Sequence, residues 1–279
     1  IAIWEGIRQH SECEAARNEQ WLVMGPWDHE SMGVHPDSKK YSTKLGRRDM
    51  GDAYLNSYRG IMLAFFAHFL KDESNGFDKR PRVHYYNIGA NVWRDAQHWP
   101  PAESEVRSLY LHKDGTLGRD EPSEAAVTRY LYDPRDPVTI SAGVDIWHWA
   151  SAQPDRRELV KRDDVLVFET DPLKADLDVT GPIRVELFAS STATDTDFTG
   201  ALVDVAPDGY SLLIQEGILR ASYRDREDDI SLITPGEVYL FDLDLWATSY
   251  TVPAGHRLRV EVSSSNFPRY ARNLNNGEP

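Results

Sequence analysis

The chain has 279 residues, more than one compact core usually holds, so its length predicts two domains. Hydrophobic residues make up 41% of it, as in an ordinary soluble globular protein, and no apolar run approaches the roughly 20 residues needed to cross a bilayer. The net charge of -14 repels phosphate backbones, which argues against a nucleic-acid partner. Cys13 is the only cysteine, so an intrachain disulfide is excluded, and the cytoplasm is the favoured compartment.

The first hundred residues mix helical and strand patterns. Ile3 to Gln9 is typical of the end of a helix, and Trp21 to Met24 is a short apolar run typical of a strand buried on both faces. A polar loop from Glu30 to Lys44 follows. Apolar residues then recur at three- and four-residue steps from about Gly51 to Lys71, which predicts a long helix, and Val83 to Ile88 predicts another strand. Strand, loop, helix and strand in this order predict one half of an open α/β sheet.

After Pro100-Pro101 the pattern becomes β-rich, and turn clusters such as Pro207-Asp208-Gly209 separate the runs. The predicted strands are 108–112, 127–132, 165–169, 183–189, 201–205, 210–214, 238–245 and 257–263. Two of these runs, RVELFAS and RLRVEVS, alternate polar with apolar residues, as half-buried antiparallel strands do. Regularly spaced short strands without helices predict a β-sandwich or jelly roll. The predicted fold class is therefore α/β followed by all-β, divided near residue 102.

The most informative local feature is WLVMGPWDH, residues 21–29, in which a buried strand ends at Gly25-Pro26 and a histidine follows at once. Ligands of open α/β sheets bind outside the carboxyl ends of the strands. Imidazole is also the usual proton shuttle near neutral pH. His29 is therefore a candidate catalytic residue, although a lone loop histidine is more often structural.

Four segments resemble, in the same order, the X-prolyl dipeptidyl peptidase family, which also contains cocaine esterase, α-amino-acid ester hydrolases and glutaryl cephalosporin acylases. GPWDH resembles the Gly-Pro-Trp-x-His segment that carries the family's triad histidine. FFAHFLKD, residues 65–72, resembles its Phe-Phe-Asp-x-x-Leu-Lys helix end, with Ala67 in place of the aspartate. Residues 83–101 resemble its strand with Gly-x-Asn-x-Trp and Trp-Pro, and residues 255–278 resemble a stretch of its C-terminal β domain.

The resemblance implies an α/β-hydrolase domain followed by a galactose-binding-like jelly roll. Residues 1–102 would be the C-terminal part of the catalytic domain, and residues 103–279 the jelly-roll β-sandwich. It implies a serine-dependent esterase, acylase or dipeptidyl-peptidase with a Ser-His-Asp triad, in which His29 takes the proton of the attacking serine. Such an enzyme needs no cofactor and acts on a small-molecule ester or on an amide or peptide bond. Relatives often form dimers, so the resemblance is compatible with a homo-oligomer, but the sequence leaves the oligomeric state open.

The sequence departs from the family pattern at both ends. It contains no Gly-x-Ser-x-Gly, and the family's aspartate would lie just before Ile1. Family members also continue beyond the point where this chain stops, at Pro279. We expect both ends to be cut relative to a full-length enzyme. The missing N-terminal part would hold the serine and the aspartate, and this chain alone would be inactive.

Other candidates have simpler interpretations. His35 lies six residues after His29, but no third ligand stands at a zinc-like spacing, so no metal site is predicted. His68 is expected to serve at a helix end or in packing, and His256 at a turn. The stretch Thr194 to Asp197 lacks the calcium-loop pattern and predicts a polar turn.

Trp147 and Trp149 leave a second function open. Exposed tryptophans on a β-sandwich can form a ligand platform, so the jelly roll could be a carbohydrate- or partner-binding module without catalysis of its own. An interdomain contact is the simpler role. Fold alone does not decide between them.

Overall fold

The computed structural model describes residues 1–27, 44–45, 47–51, 58–140, 155–225 and 230–277. These form two compact units. The first contains Ile1–Ser104 together with Ser249–Thr251, and the second contains most of the chain from Glu105 onward. Among the described residues, no helix has both the length and the apolar character that a membrane crossing requires.

The elements of the first unit are, in chain order, α1 (Ala2–His10), α2 (Glu14–Asn18), β1 (Leu22–Met24), β2 (Lys44–Leu45), β3 (Arg48–Asp49), α3 (Tyr58–Lys71), β4 (Val83–Asn87) and β5 (Val92–Ala96). Strands β1, β4 and β5 form one sheet, in which β4 is the middle strand. The pair β1–β4 is parallel, with Leu22 opposite Val83, and the pair β4–β5 is antiparallel. The parallel pair fits the predicted strand, loop, helix, strand order, because parallel neighbours need a long crossover connection.

Helix α3 is apolar on two sides. Phe65 and Phe69 lie against the ring of Trp21, with centroid distances of 6.3 and 5.7 Å. On another side of the helix, Leu63 and Leu70 are exposed. The three- and four-residue spacing that predicted this helix therefore marks a packed face, but apolar residues are not confined to that face.

The elements of the second unit are β6 (Tyr110–Leu111), β7 (Leu117–Gly118), β8 (Leu166–Glu169), β9 (Leu177–Ala189), β10 (Asp197–Val205), β11 (Ser211–Arg220), β12 (Tyr239–Val252) and β13 (Arg257–Ser263). Within β12, the residues Ser249–Thr251 belong to the first unit. Four of them form a sheet in the order β11-β10-β13-β8, and β12 pairs with β9 in a second sheet. The β-rich character predicted for this part of the chain is confirmed.

The two sheets of the second unit pack face to face. The rings of Phe198 on β10 and Phe241 on β12 lie 4.6 Å apart. A Cβ added to Gly200 on β10 would lie 3.1 Å from a methyl group of Leu245 and 3.5 Å from one of Leu243, both buried on β12, so the two sheets are in close contact at this glycine. All nine residues of β10 are buried, because this central strand is covered on both faces.

The run Trp21 to Met24 was predicted as a strand buried on both faces, but every residue of β1 is only half-buried. Two further strand predictions were wrong. Residues 127–132 form no strand, and their ordering comes from side chains. The hydroxyl of Tyr130 hydrogen bonds with Ser264 Oγ at 2.7 Å, and that of Tyr132 donates to the Asn273 carbonyl at 2.9 Å. The other error is the half-exposed face predicted for RLRVEVS on β13. Its polar residues Arg259 and Glu261 are buried, since they belong to an ionic network.

Candidate functional site

The described part of the site is the carboxyl end of β1 and the turn that follows it. Met24 ends the strand, and Gly25-Pro26 leads into Trp27. The indole of Trp27 folds back over Gly25, so any side chain at that position would collide with it. This close approach explains why a glycine follows the strand.

Trp27 is in contact with two aromatic rings. Its centroid lies 5.6 Å from Tyr58, the first residue of α3, and 5.5 Å from Trp93 on β5. Offset and edge-to-face ring pairs of this kind each contribute about 0.5–1.5 kcal/mol beyond their area burial. The chain is thereby fixed two residues before His29.

Trp93 is itself fixed by the neighbouring strand β4. Its ring stacks on His84, with centroids 4.5 Å apart and an interplanar angle of 4°. The Nδ1 of His84 donates to Asp95 Oδ1 at 2.7 Å, which sets the orientation of the imidazole. Tyr86 lies edge-on to Trp93 at 5.3 Å. A column of side chains from β4 and β5 therefore supports Trp27.

The hairpin of β2 and β3 is tied to the same sheet. The hydroxyl of Tyr86 donates to the carbonyl of Met50 at 2.6 Å, and the amide of Asn91 donates to the carbonyl of Asp49 at 2.6 Å. Burial, followed by the charge of Asp49, raises the pKa of Tyr86, so its hydroxyl stays protonated and keeps donating. These bonds bring residues 48–50 to the carboxyl end of the sheet.

Several predicted site residues lie outside the described residues. These are His29, His35, Trp147 and Trp149. The role of His29 and the ligand-platform role of the two tryptophans stay predictions.

The other histidines named from the sequence have local partners. His68 Nδ1 donates to the Glu73 carbonyl at 3.1 Å, just after the end of α3, in agreement with the predicted helix-end role. His256 follows a turn, and its Nδ1 donates to the buried Asp204 Oδ1 at 2.6 Å. Across the parts of the chain that the structure describes, no group of three His, Cys, Asp or Glu side chains is arranged to hold a metal ion.

The stretch Thr194 to Asp197 is a polar turn that opens β10, as predicted. Asp195 accepts hydrogen bonds from Arg220 Nε at 2.6 Å and from the backbone N–H of Ser222 at 3.0 Å. The amide of Asn273 donates to both Asp195 and Asp197. Both carboxylate oxygens of Asp195 therefore already accept hydrogen bonds from protein groups.

An ionic network on the outer face of the four-stranded sheet was not predicted. Glu216 on β11 and Glu261 on β13 lie opposite Ala201 from either side, and both are buried. Arg156 Nε donates to Glu261 Oε2 at 2.6 Å, and Arg259 Nη1 lies 3.2 Å from Glu261 Oε1. Only the strand register brings these residues together, so the sequence carries no local signal for them.

The comparisons with known proteins agree with this architecture. Residues 75–279 match the family described as the X-Pro dipeptidyl-peptidase C-terminal non-catalytic domain. Cocaine esterase of Rhodococcus sp. (strain MB1 Bresler) is 36% identical over 267 residues, which is 92% of this chain and 45% of the esterase.

Two solved structures are similar in both fold and sequence. An aminopeptidase from a marine sediment archaeon, Thaumarchaeota archaeon, gives a TM-score of 0.80 at 30% identity, over 94% of this chain and 45% of the aminopeptidase. An α-amino acid ester hydrolase labelled with selenomethionine gives a TM-score of 0.80 at 30% identity, over 95% of this chain and 46% of the hydrolase.

The chain belongs to the X-Pro dipeptidyl-peptidase C-terminal domain family, and its relatives include esterases and peptidases of the serine hydrolase type. The resemblance identified in the sequence is therefore confirmed. The chain spans less than half the length of the curated relatives it matches.

Proposed function

We propose that this chain is part of a serine-dependent acyl hydrolase and that His29 is the general acid/base of its Ser-His-Asp triad. The observation that carries the proposal is the strand-end geometry. The parallel strand β1 leads through Gly25-Pro26 to Trp27, whose ring contacts the rings of Tyr58 and Trp93. Active-site residues of open α/β sheets follow the carboxyl ends of parallel strands, and His29 follows this one.

The domain assignment is part of the same proposal. Residues 1–102 would be the C-terminal part of an α/β-hydrolase domain, for which the parallel pair β1–β4 and helix α3 are the support. Residues 103–279 would be a jelly roll, supported by the two β-sheets that pack face to face. His29 precedes residues 75–279, the part of the chain that matches the non-catalytic family, so that description does not apply to it.

The proposed chemistry is acyl transfer. A serine attacks the carbonyl of an ester or amide, and the imidazole of His29 takes the proton of the hydroxyl. The imidazolium then gives that proton to the leaving group, and in the second half of the cycle the imidazole activates the water that hydrolyses the acyl-enzyme. An aspartate orients the imidazole. The serine and the aspartate are proposed to come from the part of the protein that precedes this chain.

The column Trp27, Trp93 and His84 has a specific part in this proposal. A general base must stay within hydrogen-bond reach of its proton donor, about 2.6–3.2 Å. A displacement of about 1 Å can lower the rate about 100-fold. Fixing the backbone two residues before His29 limits such displacement, so the column positions the histidine without touching substrate.

The test uses the whole protein as its gene encodes it, with the upstream sequence included. His29→Ala is compared with the parent in the hydrolysis of p-nitrophenyl acetate. Removing a triad member from serine hydrolases lowers kcat by about four to six orders of magnitude, so we expect a loss of at least 1000-fold with KM little changed.

The matched control is His35→Ala, since His35 lies in the same polar segment and no role is proposed for it. We expect the control to retain the parent's turnover. Undiminished turnover in His29→Ala, or an equal loss in both variants, contradicts the assignment.

A further inference from the structure

Helix α3 carries a row of exposed apolar side chains. Leu63, Phe66 and Leu70 are 58%, 46% and 75% exposed. Their spacing of three and four residues places them in one row along the helix. We call this row the outer stripe of α3. It lies on another side of the helix from Phe65 and Phe69, which pack against Trp21.

The exposure of the outer stripe is unusual for the sequence of this helix. No residue of α3 is fully buried, although YRGIMLAFFAHFLK contains only two residues with a full charge at neutral pH, Arg59 and Lys71. A helix that is apolar all round normally lies in the core of a larger protein. Contiguous exposed apolar surface marks an interaction site. The outer stripe is therefore a surface that a partner covers.

The strand that leads to His29 also lacks full cover. All three residues of β1 are only half-buried, and β4 is its one neighbour among the described strands. Strands in parallel pairing are normally covered on both faces. Trp21 directly precedes β1 and packs against α3, so the two elements are neighbours. Two adjacent elements of the first unit therefore lack a covering layer.

The charges of α3 disfavour a second copy of this chain as the partner. Arg59 lies near one end of the helix and Lys71 at the other, and α3 contains no acidic residue. An antiparallel pair of α3 helices would place Arg59 of one copy beside Lys71 of the other, and a parallel pair would place identical residues together. Both arrangements bring positive charges close to each other, which is unfavourable. A partner with an apolar row and acidic residues beside it fits the helix better.

The length of the relatives indicates where such a partner is encoded. The matched part makes up 45% of cocaine esterase, and 45% and 46% of the two solved structures. More than half of each of those proteins therefore lies outside the part that resembles this chain. In the proposed function, the serine and the aspartate come from the part of this protein that precedes Ile1. That part would lie against the first unit, since the side chains of a triad are within hydrogen-bond reach of one another.

We propose that the outer stripe of α3 is the surface on which the preceding part of the protein packs, through an element whose apolar row is bordered by acidic side chains. The inference rests on the proposed function, which makes that part the source of the serine and the aspartate. Helix α3 begins at Tyr58, whose ring contacts Trp27. Packing on α3 therefore also places the partner relative to the turn before His29, without any contact between the stripe and substrate.

Hydroxyl-radical footprinting of the whole protein, with its upstream sequence included, tests this packing without any substitution. The radicals oxidise accessible Phe and Leu side chains, and peptide mass spectrometry gives the oxidation rate of each residue in the native protein and in concentrated guanidinium chloride. Phe188 on β9, which is 77% exposed, is the matched reference for Phe66. Because the core of an interface excludes water, we expect the native-to-denatured rate ratio to be at least about tenfold lower at Phe66 than at Phe188.

Cysteine labelling provides a second measurement. Leu70→Cys in the whole protein should react with N-ethylmaleimide at least about tenfold more slowly than Leu131→Cys, whose position is 85% exposed in the second unit, and the two should react equally after denaturation. Mass spectrometry locates the label, so Cys13 does not interfere.

Similar native-to-denatured ratios at Phe66 and Phe188, or equal native labelling of the two cysteine variants, overturns the proposal. Protection of Phe66 that is lost when an oligomer is diluted into monomers overturns it as well, since a second copy would then be the cover. The proposed function is tested separately by the turnover of His29→Ala, so either proposal can fail while the other holds.

Discussion

Removing Arg156 tests the ionic network most sharply, since this side chain is 8% exposed and its main partner Glu261 is 2% exposed. In Arg156→Met, Glu261 loses a donor at 2.6 Å but keeps Arg259 at 3.2 Å. Glu216, 3.7 Å from Arg156 Nη1, keeps the Asn266 amide at 2.9 Å. Breaking a buried pair costs about 3–5 kcal/mol, and these remaining donors place the loss near the lower end, at about 3 kcal/mol.

Each kcal/mol shifts the melting temperature of a domain of this size by about 2–4 °C, so Arg156→Met should melt about 6–12 °C below the parent. Urea unfolding followed by circular dichroism measures the same loss as a lower midpoint at an unchanged slope. Lys161→Met is the matched control. It breaks a pair with Glu158 in which both side chains are mostly exposed, and such pairs contribute at most about 1 kcal/mol.

The double variant Arg156→Met/Glu261→Gln separates lost charge pairing from lost packing. Neutralising Glu261 removes one negative charge from a buried network that has lost a cation, so the double variant should be more stable than Arg156→Met alone. A free energy of unfolding of Arg156→Met within about 1 kcal/mol of the parent's would contradict a stabilising role of the network. A further loss of stability when Glu261→Gln is added to Arg156→Met would contradict it as well.

Three further predictions concern single residues. The pKa of Asp197 is about 6 in the folded chain against the ordinary value of 3.8, so the folded chain binds this proton more tightly than the unfolded chain. Asp197 therefore makes the free energy of unfolding decrease as pH rises between those two values. Asp197→Asn should melt above the parent at pH 7.5, and this difference in melting temperature should vanish near pH 3.8. Gly217→Ala should destabilise the chain strongly in urea titrations, because a Cβ would collide with the Asp244 carbonyl oxygen. Gly60→Ala is the control, because Gly60 lies in α3 with open space around it, and it should raise the free energy of unfolding by about 0.5–1 kcal/mol. Trp93→Ala in the whole protein should lower kcat by a larger factor than it raises KM, and Trp93→Phe should retain part of the lost kcat. A change in KM alone would show that the column of Trp27, Trp93 and His84 does not position His29.

Much of the fold could be predicted where one local pattern decided the structure. Strand β13 was predicted with its final bounds, Arg257–Ser263, because β-branched residues alternate there between turn signals. Helix α3 was predicted because its apolar spacing is long and regular. Residues 127–132 have the composition of a strand but no neighbouring strand to complete a ladder, and a partner of that kind cannot be seen in a local pattern.

The polar parts of the structure could not be predicted in the same way. Glu216 and Glu261 appear in the sequence as the solvent face of strands, and only the register that places Ala201 between them brings them under Arg156. Asp197 likewise gains its surroundings from Asn273, 76 residues away. The candidate His29, by contrast, was proposed from the strand, the Gly-Pro break and the resemblance, and its catalytic role stays a prediction.

Labelling with a fluorophosphonate probe tests the central claim most directly, since the probe reacts with serines that a base has activated. The whole protein encoded by the gene is labelled as the parent and as His29→Ala, and the modified residue is located by peptide mass spectrometry. We predict rapid labelling of one serine upstream of Ile1 in the parent and at least 1000-fold slower labelling in His29→Ala. Equal labelling of the two proteins would contradict the role of His29 as the base of a serine hydrolase.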